Sequence, residues 1–120
     1  VGDRLTPILI AEIGDIRRFK NAGSLIAYAG IDAPPYQSGQ FEAVHRHISK
    51  RGNKYLRKAG YEVMKSIKSF CSDGNELYNY MLKKESEGKC KKSAKIATLN
   101  KFLRQYYGTI KKKYIELDTW

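Results

Sequence analysis

The stretch Asn53-Lys54-Tyr55-Leu56-Arg57-Lys58-Ala59-Gly60-Tyr61-Glu62-Val63-Met64-Lys65-Ser66-Ile67-Lys68-Ser69-Phe70-Cys71 decides the fold. Leu56, Ala59 or Gly60, Val63, Met64, Ile67 and Phe70 recur at intervals of three and four, the period of one helix face. The other side displays Lys54, Arg57, Lys58, Lys65 and Lys68, with Lys50 and Arg51 just before. A helix that is apolar on one side needs other helices to cover it, and the neighbouring sequence supplies them. Downstream, Ser72-Asp73-Gly74-Asn75 stops it and caps a shorter helix through Leu77, Tyr78, Met81 and Leu82 that ends near Gly88. Lys89 to Lys92 reads as a basic linker, and a last helix carries Ile96, Leu99, Leu103, Tyr106 and Ile110, with Lys111-Lys112-Lys113 following it.

Upstream, Thr6-Pro7 is a helix-opening pair, because a threonine hydroxyl caps amides and proline fits the first helical position. The helix from Pro7 to Ile13 puts Ile8, Ile10 and Ala11 on a buried side, and Gly14 ends it. Ile16 and Phe19 share a short turn, and Asn21 or Ser24 starts a second helix through Leu25, Ile26, Tyr28 and Ala29, closed by Gly30. Turns between such short helices present backbone amides that can hold an anion. Residues 31–51 do not read as helix: Pro34-Pro35 and Gly39 interrupt any period, and Phe41 and Val44 give only a faint strand signal. The expected fold is all-α, a compact domain of about five helices over residues 1–120. Its parts are a short-helix front over 1–30, one long irregular loop over 31–52 and a helical bundle over 53–120.

The 120 residues carry a formal charge of +11, with 42% hydrophobic and 12% aromatic residues, too apolar for a disordered basic tail. Residues 1–40 hold four basic and four acidic residues, so the surplus lies wholly after Gln40. A one-sided positive field captures polyanions, and nucleic acid is the partner it suggests. The longest apolar stretch, Leu5 to Ile13, is far short of a membrane span, and Val1-Gly2-Asp3 has neither the basic start nor the apolar run of a secretion signal. With no initiating Met, the chain reads as a piece of something longer. Cys71 and Cys90 stand apart without metal-ligand spacing and read as thiols of a reducing, cytoplasmic compartment.

The acids are scattered singly, which argues against a self-sufficient metal nuclease, and capping or dipole roles suit Asp15 and Asp73 better. His45 and His47 flank Arg46; without a third ligand they suit phosphate contact or plain surface better than metal, and they cluster with Lys50 and Arg51. Nine tyrosines suit packing better than nucleophilic attack. In Tyr36-Gln37-Ser38-Gly39, a serine lies in the long loop a few residues before this basic run. Its oxygen could attack a phosphodiester where cations meet the developing charge, or it could serve turn geometry alone; spacing does not separate the two.

Three strings, Ala27-Tyr28-Ala29-Gly30-Ile31, Tyr36-Gln37-Ser38-Gly39 and Ile48-Ser49-Lys50-Arg51-Gly52-Asn53-Lys54-Tyr55-Leu56-Arg57, resemble the C-terminal domain of the one-ten family of insertion-sequence transposases. Leu9-Ile10-Ala11-Glu12-Ile13-Gly14-Asp15-Ile16 and Arg18-Phe19 resemble that domain's opening, which is similar to a helix-hairpin-helix, and Val1-Gly2 resembles the remainder of its hairpin. The resemblance covers roughly residues 1–70. It implies a DNA-recombining enzyme that joins a serine, matching Ser38, to DNA phosphate, while a RuvC-like N-terminal domain with four acidic ligands supplies magnesium. It also implies a bridge RNA as guide, a homo-oligomer when full length and a nucleoid-associated bacterial location. His45, Arg46, His47, Lys50, Arg51, Lys54 and Arg57 would lie close to DNA or guide RNA. The isolated chain, lacking the acidic ligands, would cut nothing. Without the resemblance, the residues equally allow a non-catalytic helix-hairpin-helix module or a helical protein-interaction domain with a solubilising lysine surface.

Overall fold

A computed structural model describes residues 5–31, 52–72 and 74–118, and every regular element among them is helical. Helix α1 spans Leu5–Ile13, a single 3-10 turn follows at Ile16–Arg18, and α2 spans Ala22–Ala29. Then come α3 at Lys54–Phe70, α4 at Glu76–Ser86 and α5 at Lys91–Glu116. The five-helix, all-α expectation holds. Residues 32–51 lie outside the described residues, and with them the expected irregular loop and the strand signal at Phe41 and Val44.

The long helices α3 and α5 pack on one another and carry the rest. Helix α1 packs on α3, α2 packs on α5, and α4 lies across both long helices. From α3, Leu56, Ala59, Val63, Met64 and Ile67 enter the core, and from α5, Ala94, Leu99, Leu103 and Tyr107 do. Gly60 permits the close crossing, since a Cβ there would lie 2.7 Å from Leu99 Cδ1. The buried Tyr107 hydroxyl donates to the Phe19 carbonyl at 3.1 Å and ties the 3-10 turn to α5.

Caps fix the ends much as the sequence suggests. Asn21, Asn53 and Asn75 each accept backbone N–H bonds at the start of α2, α3 and α4, and Gly30 closes α2 in the left-handed region at φ 73. Helix α1, however, begins at Leu5, so Pro7 is its third residue and Thr6 is inside it; proline fits there because amides of the first turn have no helical acceptor.

The buried side of α1 is also not the expected one. Leu9 and Ile13 are buried, with Leu5 packed beside them, while Ile8 is 43% and Ile10 51% exposed and Ala11 is exposed. A nonapeptide with one charge has apolar residues all round, so the period selects no face and the stripe on α3 does. Phe70 is 85% exposed because it lies in the last turn of α3, beyond the last buried residue, Ile67. Lys111 to Lys113 do not follow α5 but lie within it, since lysine propagates a helix readily and no breaker intervenes. The longer helix puts Tyr107 fully in the core and leaves Tyr106 half-buried.

Candidate nucleic-acid interface

The described chain stops at Ile31 and resumes at Gly52, and both ends are tied to the last turn of α2. On the outgoing side, Gly30 N–H donates to the Ile26 and Ala27 carbonyls, and the Ile31 side chain is buried. On the returning side, Asn53 N–H donates to the Tyr28 carbonyl at 2.6 Å. Gly52 sits at φ 90, and a Cβ there would stand 2.2 Å from the Tyr28 carbonyl oxygen. Two independent constraints, left-handed backbone and contact with a carbonyl, therefore demand glycine.

Asn53 is the hub. Its Oδ1 accepts from Tyr55 and Leu56 N–H and so starts α3, while its Nδ2 donates to Glu12 Oε1 at 2.8 Å and to the Tyr28 hydroxyl at 3.0 Å. One amide thus joins α1, α2 and α3. Arg18 completes the cluster: its Nη2 donates to the Ile13 carbonyl at 2.6 Å, and its guanidinium lies 4.6 Å from the ring centres of both Phe19 and Tyr28. The Arg18 guanidinium first, and then the Asn53 amide, hold the Tyr28 phenol below its ordinary pKa.

Ser38, His45, Arg46, His47, Lys50 and Arg51 lie outside the described residues. Lys54 and Arg57 lie within them and have different tasks. Arg57 is half-buried, and its Nη1 donates to the Ala29 carbonyl at 3.2 Å, where a cation also suits the negative end of α2. Lys54 is exposed, and its ammonium stands 5.3 Å from the Tyr55 ring centre. Glu12, Arg18, Tyr28 and Gly52 carry no signal of this joint in the sequence: Glu12 meets Asn53 across 41 positions. Only Asn53 has one, as an asparagine immediately before a helical pattern.

At the turn after α1, the protein's own carboxylate occupies the anion position. Asp15 accepts from Arg17 N–H and pairs with the Arg17 guanidinium at 2.7 Å, which holds its carboxyl below the ordinary value. Asp73 lies outside the described residues. Among the described residues no three imidazole, thiol or carboxylate groups gather, and Glu12 is engaged by Asn53. No helix among them is long and apolar enough to cross a membrane.

A second basic region lies along α4 and α5. An open groove of about 580 Å³ is lined by Tyr80, Asn100, Lys101 and Arg104. Its cations are partly engaged: Lys101 pairs with Glu76 at 3.4 Å, Arg104 donates to Asn100 at 2.8 Å, and the Lys84 and Lys101 ammonium groups stand 5.2 and 5.0 Å from the Tyr80 ring centre.

The sequence model of the family described as Transposase IS116/IS110/IS902 matches residues 1–79, which take in α1, α2, α3 and the Asn53 hub. The pilin gene-inverting protein of Moraxella bovis is 30% identical over 111 residues, covering 92% of this chain and 34% of that relative. The pilin gene-inverting protein of Moraxella lacunata is likewise 30% identical over 111 residues. The chain spans about a third of the length of the curated relatives it matches.

Proposed function

Because the chain belongs to the Transposase IS116/IS110/IS902 family, we propose that it forms the part of a DNA-recombining enzyme that carries the attacking serine. In this reading Ser38 Oγ forms a bond to a DNA phosphorus as the bond from that phosphorus to a deoxyribose oxygen breaks. The serine proton passes to a base, the departing oxygen takes up a proton, and a hydroxyl of the second strand later reverses the exchange. His45, Arg46, His47, Lys50 and Arg51 meet the phosphate charge, with Lys54 beside them and Arg57 fixing the joint below. A RuvC-like domain elsewhere in the full-length protein supplies magnesium; a bridge RNA guides target choice, and the full-length protein works as a homo-oligomer.

The observation that supports this reading is how the described residues that flank Ser38 in sequence are held. Ile31 and Gly52, the described residues on either side of it in sequence, both lie against the end of α2, and the second is fixed by a glycine that admits no side chain and an asparagine bonded to three helices. A nucleophile needs to stand still relative to the groups that serve it, and such a base supports that. The names of the relatives, gene-inverting proteins, agree with DNA strand exchange.

The test is recombination by the full-length protein carrying Ser38→Ala, beside binding and cleavage by the 120-residue chain. We expect recombination to vanish with folding intact, and the chain to bind DNA in a salt-dependent way without cutting it. Undiminished recombination by Ser38→Ala would leave instead a helix-hairpin-helix module that only holds DNA backbones. Absence of DNA binding at low salt would leave a protein-interaction domain.

A further inference from the structure

Two aromatic side chains stand largely exposed among the described residues, Phe70 at 85% and Tyr55 at 61%. Their surroundings differ. Tyr55 is the second residue of α3, and Lys54 and Lys58 flank it at the preceding position and one turn on, so all three share one surface. Both lysines are exposed and neither has a carboxylate partner among the described residues. Glu62, the acid within α3, pairs with Lys65 instead. The place is also rigid: Tyr55 N–H donates to Asn53 Oδ1 at 2.8 Å, and Asn53 is bonded onward to Glu12 and Tyr28.

An exposed aromatic ring on a fixed backbone, bracketed by cations without a carboxylate partner, suits one ligand chemistry: a base that covers the ring as the Lys54 ammonium moves from it to a flanking phosphate, with Lys58 on the other. A duplex keeps its bases stacked on each other, so the ligand is an unpaired strand. We propose that Tyr55 is a base-stacking residue for unpaired DNA, with Lys54 and Lys58 on the adjoining phosphates. The choice of DNA rests on the reading that this part of the molecule serves DNA strand exchange, since Gly52, three residues before Tyr55, is where the serine-bearing segment rejoins. Tyr55 is a positioning residue: it holds a strand and takes no part in bond exchange.

The experiment measures binding of the 120-residue chain to single-stranded DNA carrying 2-aminopurine, against the same strand with one abasic site in its place, across salt. Tyr55→Ala should weaken binding to the intact strand about tenfold and abolish the quenching of 2-aminopurine, while Tyr55→Phe keeps both. Tyr55→Ala should leave the salt slope unchanged, whereas Lys54→Gln with Lys58→Gln should reduce it by about 1.4. Equal loss by Tyr55→Ala on intact and abasic strands, or none on either, overturns the assignment, as does tighter binding of RNA of the same sequence than of DNA. The stacking assignment and the nucleophile assignment therefore fail separately, the first in this assay and the second in recombination.

Discussion

Gly52 and Gly60 are both close-contact glycines, but they face different obstacles. A Cβ at Gly52 meets a main-chain carbonyl at a backbone angle unfavourable to any side chain, whereas one at Gly60 meets the tip of a leucine that can turn. Gly52→Ala is expected to cost about 1–3 kcal/mol from backbone strain alone, with the clash added to it. Gly60→Ala should cost less, because overpacking of about 1–3 kcal/mol is offset by about 1 kcal/mol of helix preference; urea midpoints of the two variants give the order. Asn53 permits a sharper comparison. Aspartate caps a helix as well as asparagine, but Asn53→Asp replaces the donor to Glu12 and Tyr28 with a second carboxylate oxygen. It should lose about 1–3 kcal/mol and be less stable than Asn53→Ser, which keeps a capping oxygen without the added charge. Equal stability of the two would remove the Glu12 bond from the account.

The contact between α3 and α4 includes one ion pair that responds to acid. Lys68 donates to Glu85, both side chains being mostly covered, and this bond holds the Glu85 carboxyl below its ordinary value of 4.5. The unfolded chain therefore takes up a proton first as pH falls. The contribution is whole above pH 4.5 and is lost as the pH drops through the lowered folded value. Glu85→Gln should cost about 1 kcal/mol at neutral pH, and its stability should vary less with acid, the difference from the parent closing as pH falls. Urea titrations from neutral pH into acid check both statements. Much at this scale was legible in the sequence. The start of α3 at Asn53, its end at Cys71, the cap at Asn75 and the closure of α2 at Gly30 follow from local chemistry that needs no distant partner. The buried side of α1 and the extent of α5 were not legible, because a nonapeptide with apolar residues all round offers no face and a lysine run halts no helix. The candidate site divides the same way: Asn53 stands where the helical pattern begins, while its bonds to Glu12 and Tyr28 depend on how three helices meet.

Across the molecule, the family match and the region after it differ in character. Residues 1–79 contain the hub and the serine-bearing segment. The region after them carries much of the basic surplus along α4 and α5, part of it engaged by Glu76 and Glu87. A solvated basic surface gives nucleic acid a long-range attraction, but strand exchange needs a particular oxygen held beside a particular phosphate. Under the proposed function that oxygen belongs to Ser38, and Gly52 and Asn53 fix the chain where the described residues resume after it. The most direct measurement is to denature the full-length protein during reaction with its DNA, isolate the protein–DNA adduct and sequence the peptide that bears the nucleotide. The prediction is a phosphodiester on Ser38 that is absent from the Ser38→Ala protein; a nucleotide on any other residue, or recombination that proceeds with no adduct at all, would contradict it.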